Sequence, residues 1–469
     1  MVFSSIPFLF YFFPLFLLCY YIFPWKGKNL CLLLFSLVFY AWGEPKYIVL
    51  LLLSSVVDYT VGRGLQHFEQ KNGVRKFLLL ISLVVNLGLL SVYKYLDLFI
   101  GTWNELSGGQ VKQMNLALPI GISFFTFQTM SYSIDVYRRK VEAQKNFIDY
   151  MTYVSMFPQL VAGPIVRYET IAKELKHRTI SLDEVCDGFY RFLIGLFKKV
   201  LIANGVGALW DSTLAGGMGD LSFAGAWLGA IAFTLQIYFD FSGYSDMAIG
   251  MGQMMGFHFL ENFRYPYMAV SIKDFWSRWH MSLSGWFKDY VYIPLGGSRR
   301  SVPRNILNLF IVWSLTGFWH GASWNFLVWG LYFGVLLTLE KYVIPKLLLK
   351  MPGWLHHIYA LFFIVIGWVI FAVEDFSQMG NYLKAMFGMG SGLYSNTFLY
   401  DMKNYGIVLI LGILFSMPVY GWWKEKQAQS KVCHGIDRAA GFVGTIVLLL
   451  VTISCLVQNT YNPFLYFRF

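Results

Sequence analysis

Long apolar runs separated by short polar breaks dominate this chain. No Asp, Glu, Lys or Arg occurs from Val2 to Trp25, from Phe77 to Tyr93, from Leu221 to Phe239, from Asn305 to Leu339, from Pro352 to Val373, from Tyr405 to Trp423 or from Ala439 to Phe467. A helix needs about 20 mostly apolar residues to cross the hydrocarbon layer, so each run predicts a membrane element. The run Asn305–Leu339 has room for two helices, or for one helix and a buried turn. Weaker apolar segments at 29–43, 46–57, 114–134, 150–166 and 186–209 add further candidates. The pattern predicts an all-α, polytopic transmembrane protein of about 11 to 13 membrane elements, forming one integral-membrane domain over 1–469. The first run has no basic stretch before it and is too long for a cleavable signal, so it is expected to stay.

The stretch Glu261 to Arg304 departs from this pattern, being rich in both charge and aromatic rings. Phe275, Trp279, Leu283 and Trp286 follow helical spacing and make one apolar stripe, while Asp274 and Arg278 stand four apart and can pair on a helix face. The spacing predicts an amphipathic helix over Ser271–Tyr290, interfacial or re-entrant. Pro266 stands before it and Pro294-Leu-Gly-Gly297 after it.

Composition agrees with lipid as the solvent. Hydrophobic residues are 57% of the 469 and charged residues 13%, against about 25% charged in an ordinary soluble domain. The net charge of +11 does not point to nucleic acid. The basic residues cluster in short connections such as Arg63–Lys76, Arg138–Lys145, Arg167–Arg178 and Arg299–Arg304, where they act as topology signals and contacts for anionic lipid. Lys26 and Lys28 follow the first run, which places the N-terminus outside the cytoplasm. The five cysteines show no metal-type spacing, and no metal site is expected.

The candidate chemistry centres on His320, an ionisable side chain inside a charge-free run of 35 residues. Such a residue at membrane depth is by default a functional hypothesis, set against the plainer reading of a hydrogen-bonded core histidine. A neutral imidazole suits general-base work. Gly321 beside it would let a substrate or another backbone approach closely. His280, in Arg278-Trp279-His280, is second. Asp240 and Asp246 stand six apart, on different helix faces, which argues against a paired acid/base device. A helix break at Gly243 or a metal-free polar network is the plainer reading. No nucleophile elbow and no HExxH are present.

Several motifs in order carry a resemblance: Phe157-Pro-Gln-Leu-Val-Ala-Gly-Pro164, Tyr238-Phe-Asp-Phe-Ser-Gly-Tyr-Ser-Asp246, Glu261-Asn-Phe-Arg-Tyr-Pro266, Phe275-Trp-Ser-Arg-Trp-His-Met-Ser-Leu-Ser284, Tyr292-Ile-Pro-Leu-Gly-Gly297, Phe318-Trp-His-Gly-Ala322 and the tail Asn462-Pro-Phe-Leu-Tyr-Phe467. Together they resemble the membrane-bound O-acyltransferase family, in its AlgI-like branch. The resemblance implies helices around a central tunnel, with His320 as the membrane histidine and His280 as its partner. It implies acyl transfer from a thioester, acetyl-CoA or a related carrier used as a substrate rather than a tightly bound cofactor, to a hydroxyl. In that branch the acetyl group reaches an extracytoplasmic polysaccharide, often through a partner with an SGNH-type domain. Trp279, Arg278, Trp319 and Asp274 are candidate substrate contacts. Lys273, Lys288 and Arg278 are candidates for the carrier's phosphates or for lipid head groups. One departure stands out: Trp329-Gly330 is followed by Leu331, Tyr332 and Phe333, where alginate members carry a histidine. D-alanyl transfer to teichoic acid, as in DltB-like members, and a proton-relaying transporter or flippase are the competing readings.

Overall fold

A computed structural model describes residues 2–469 apart from 162, 216, 219–220, 346–347, 349–350, 420, 422–432, 459–463 and 466–469. Among the described residues the regular structure is helical, with no strand. Helices at Ile48–His67, Asn72–Ser107, Leu182–Leu214, Gly353–Ala372 and Asn396–Phe415 are long and apolar enough to cross a membrane, and Phe8–Ile22 and Val443–Gln458 are shorter apolar helices. Other predicted elements form with shifted or broken bounds. The segment 114–134 becomes the helix Ile122–Tyr137, and 150–166 becomes Phe147–Ser155 and Phe157–Leu160, with Pro158 starting the second. The long run resolves as two helices, Val302–His320 and Trp324–Tyr342. The predicted connection Arg167–Arg178 is itself mostly helix, Tyr168–Lys176, with Tyr168, Ile171 and Leu175 buried.

The helix Asn72–Leu90 shows what solvent the fold expects. Its buried residues are Arg75, Ser82, Asn86 and Leu90, while Phe77, Leu80, Val84 and Leu87 are exposed. An amphipathic helix in water turns its apolar stripe inward. This one turns it outward, as a helix in contact with lipid does.

Contacts divide the chain into two compact units, Met1–Phe192 with Ser245–Leu260, and Leu193–Tyr244 with Glu261–Phe469. The helices Leu182–Phe197 and Phe223–Met254 contribute to both. In the first unit Asp58 is fully buried and accepts hydrogen bonds from Ser82, Ser133 and Asn86. These bonds join the helices Ile48–His67, Asn72–Leu90 and Ile122–Tyr137 through polar groups that lipid could not satisfy. Asp246 pairs with Arg191 at 3.0 Å in the same unit.

In the second unit Asp240 and Lys199 form an ion pair at 2.6 Å with side chains only 2% and 3% exposed. Removing one partner of such a pair leaves a buried charge, at a cost of about 3–5 kcal/mol. Asp240 also accepts the backbone N–H of Leu465 at 2.8 Å, and the Phe464 ring stacks on Tyr244. Apart from these two residues the tail motif lies outside the described residues. The aspartates therefore belong to polar networks, as one sequence reading has it, but the helix does not break at Gly243. It runs unbroken from Phe223 to Met254. Gly243 instead permits close packing, since a Cβ there would lie 2.8 Å from the Gly195 carbonyl oxygen.

Candidate active site

The second unit assembles the residues that carry chemistry. Helices Val302–His320 and Trp324–Tyr342 pack closely because glycines line their contact. A Cβ on Gly317 would meet the Phe326 carbonyl oxygen at 2.2 Å, and one on Gly330 would meet the Trp313 carbonyl oxygen at 2.2 Å. This hairpin sets His320, the last residue of its helix, against Trp329. The His320 ring lies edge-on to Trp329 at 5.0 Å and to Phe371 at 5.4 Å, and the residue is buried. Gly321 does not leave room for a substrate as expected. The Phe326 ring fills the place where its Cβ would be.

His280 reaches the site through a break in the backbone. The predicted helix over Ser271–Tyr290 is two short helices, Ile272–Arg278 and Met281–Phe287, with Trp279 extended between them and His280 left-handed at φ 44°, ψ 52°. A non-glycine residue in that region stores roughly 1–2 kcal/mol, and such strain clusters at functional sites. The four residues of the expected stripe, Phe275, Trp279, Leu283 and Trp286, are nevertheless all buried. The stripe is right about burial and wrong about continuity, because the backbone turn at His280 takes the place of unbroken helical periodicity.

The backbone groups at the starts of these two short helices have partners. Glu340 accepts from the N–H of Ile272 at 2.6 Å and of Lys273 at 3.0 Å, and the Ser271 hydroxyl accepts from Asp274 N–H at 3.0 Å. Asn262 Oδ1 accepts from Ser282 N–H at 3.2 Å and from the Ser282 hydroxyl at 2.9 Å, and it lies 3.1 Å from His280 Nδ1. The Ser282 backbone N–H is an obligate donor, so the Asn262 atom it meets is the oxygen. His280 Nδ1 must then carry the proton, and its Nε2 presents a lone pair. That Nε2 is buried and has no hydrogen-bond partner among the described residues.

The two imidazoles are electrostatic neighbours. Trp319 lies between them in the contact chain, with its ring 5.8 Å from His280 and 5.1 Å from His320. Phe241 closes His280 edge-on at 4.7 Å. The result is an aromatic enclosure around two buried imidazoles. Trp279 is buried among Phe263, Phe275 and Trp368, at 5.0, 5.6 and 4.7 Å, so it packs the enclosure from behind. Arg278 and Asp274 pair with each other at 2.9 Å and remain partly exposed. Glu340 and Asn262 hold the broken segment, yet no motif singles them out. The available signals were that Glu340 is the first charge after the long charge-free run and that Asn262 lies in the Glu261–Pro266 motif.

Comparison with known proteins places the chain among acyl-transferring membrane proteins by sequence. The model of the membrane-bound O-acyltransferase family, MBOAT, matches residues 9–374. The chain is 36% identical to a probable alginate O-acetylase of Azotobacter vinelandii over the full length of both chains. It is 35% identical to a peptidoglycan O-acetyltransferase of Helicobacter pylori, covering 83% of this chain and 80% of that one. A teichoic acid D-alanyltransferase of Bacillus subtilis is 30% identical over 48% of this chain and 59% of its own.

The Asn262 network predicts a stability effect. Asn262→Leu strips the acceptor from three donors and is expected to cost at least about 3 kcal/mol, since each buried donor left unmade costs about 1–3 kcal/mol. Thermal unfolding of the purified protein checks it, and wild-type stability would show that Asn262 does not hold the imidazole.

Proposed function

The chain belongs to the membrane-bound O-acyltransferase family, and on that premise we propose that it moves acetyl groups from a cytoplasmic thioester to a hydroxyl of an extracytoplasmic polysaccharide. The donor class is acetyl-CoA or a related acyl carrier. The acceptor is the polysaccharide itself or an SGNH-type partner that passes the acetyl group on. The observation that carries the chemistry is the pair of buried imidazoles in an aromatic enclosure, with the His280 Nε2 lone pair unengaged.

In this reading the acceptor hydroxyl attacks the thioester carbonyl while His320 takes its proton. The C–S bond then breaks and the proton passes to the leaving thiolate, giving an ester and a free thiol. A positioned base of this kind contributes roughly 10²–10⁴-fold. His280 orients the acceptor by accepting at Nε2 from a second hydroxyl of the sugar, because the single proton of the reacting hydroxyl goes to His320. Donation from His280 to the carbonyl oxygen is the weaker role, because its N–H faces Asn262. The aromatic enclosure limits competing hydrolysis by excluding water. Acetyl rather than D-alanyl transfer is favoured because the acetyltransferase relatives align over most or all of the chain and the D-alanyltransferase over about half. No gradient-driven transport step is needed.

Mass analysis of envelope polysaccharides from cells with and without the protein tests the reaction. Loss of acetyl esters is expected. Unchanged acetylation with loss of D-alanyl esters would replace this reading with the teichoic acid one.

The site of action is the inner membrane, with the N-terminus outside the cytoplasm, supported by Lys26, Lys28 and the basic Arg63–Lys76 stretch. A cysteine introduced at Glu69, in a cysteine-free background, should resist an impermeant thiol reagent added to intact cells. Strong labelling there would reverse the orientation.

A further inference from the structure

A cavity of about 260 Å³ lies in the second unit under two lysines, Lys273 and Lys288. Its interior is apolar, with Leu283, Phe287, Leu309, Val312 and Leu337 among its walls. Both lysines are exposed, and among the described residues neither is in an ion pair. Asp274, the acidic residue beside Lys273, is held by Arg278, and no carboxylate lines the cavity. Two ammoniums without an ion-pair partner among the described residues therefore border a mostly apolar space that favours hydrocarbon.

We propose that this cavity binds one acyl chain of an anionic phospholipid, with the lipid phosphate held between Lys273 and Lys288. An acyl carrier is the poorer fit. Arg278, the third cation considered for its phosphates, is committed to Asp274, and the polar groups of a nucleotide or a pantetheine arm would meet mostly apolar walls whose Ser277, Ser284 and Thr316 hydroxyls already donate to backbone carbonyls. A phospholipid satisfies both halves of the site at once. Its phosphate meets the two cations, and its chain fills the slot between the helices Met281–Phe287 and Val302–His320.

The site adjoins the candidate active site. Trp276 and Trp313 form part of the cavity wall and touch each other at 4.6 Å. Trp276 also touches Trp329 at 5.6 Å, the ring that backs His320. Thr316, another wall residue, lies one turn before His320 on its helix. A lipid chain in the cavity would rest on Trp276 and Trp313, and through Trp276 on the Trp329 ring that backs His320. The binding claim itself stands independently of the acyl-transfer reading.

The test is thermal unfolding of the delipidated protein in detergent, with phosphatidylglycerol, phosphatidylcholine or CoA added. Phosphatidylglycerol is expected to raise Tm by at least about 3 °C more than phosphatidylcholine does. The double variant K273Q/K288Q should abolish that difference. V312W, which fills the slot from a half-exposed position and leaves the lysines in place, should abolish it too, and L337W does the same from the facing helix. CoA should give no shift. Equal shifts by the two lipids, or a phosphatidylglycerol preference that survives the double lysine variant, would overturn the proposal. A CoA-induced shift lost in K273Q/K288Q would also overturn it, and would assign the lysines to the donor.

Discussion

Everything in the candidate site depends on how a broken backbone is kept satisfied where water is scarce. A chain solvated by lipid must supply hydrogen-bond partners internally for every N–H and C=O that regular helix does not use. The turn at Trp279–His280 frees such groups, and the segment Asn262–Arg264 takes them up: Arg264 N–H donates to the Arg278 carbonyl, Met281 N–H to the Asn262 carbonyl and Ser282 N–H to Asn262 Oδ1, while Glu340 and Ser271 cap the start of Ile272–Arg278. Glu340 is buried and pairs a carboxylate with the positive end of a short helix. Asn262 also meets His280 Nδ1 at 3.1 Å, so the segment that satisfies the turn holds the imidazole as well. The geometry of the candidate site thus rests on the polar groups that hold the broken segment.

The same logic runs through the rest of the fold. Asp58 with its serine and asparagine partners, and Asp240 with Lys199, are buried charges or dipoles fully engaged by neighbouring helices. The surface, by contrast, carries Phe77, Leu80 and Val84 outward. Polar groups fix the inside and apolar groups face the solvent, which inverts the pattern of a water-soluble bundle. Close glycine contacts at Gly243, Gly317 and Gly330 let these helices approach until the polar partners meet.

Much of this was readable from the chain. Charge-free runs marked the apolar helices because nothing but lipid tolerates them at that length, and His320 stood out as the ionisable group within the longest run. The stripe Phe275–Trp279–Leu283–Trp286 found the buried face of the segment but not its break. Helical spacing reports which residues seek apolar surroundings and is blind to a single backbone turn that keeps the same residues inside. The role of Gly321 was also illegible, since whether a glycine admits a substrate or a neighbouring ring depends on Phe326, five residues on. Asn262 and Glu340 escaped notice for a related reason. Their partners are backbone groups 20 and 68 residues away in sequence, and no local pattern encodes a cap delivered from that distance.

The central claim is that a membrane O-acyltransferase uses His320 to remove a proton from its acceptor, beside a His280 held by Asn262. The most direct measurement is transfer of labelled acetyl from membranes to envelope polysaccharide by His320→Gln, at matched membrane abundance and thermal stability. Glutamine keeps hydrogen bonding and approximate size but cannot take a proton at neutral pH. The account predicts a loss of roughly 10²–10⁴-fold, with His320→Ala no more active. Near wild-type transfer by His320→Gln would show that the histidine is structural and would contradict the mechanism.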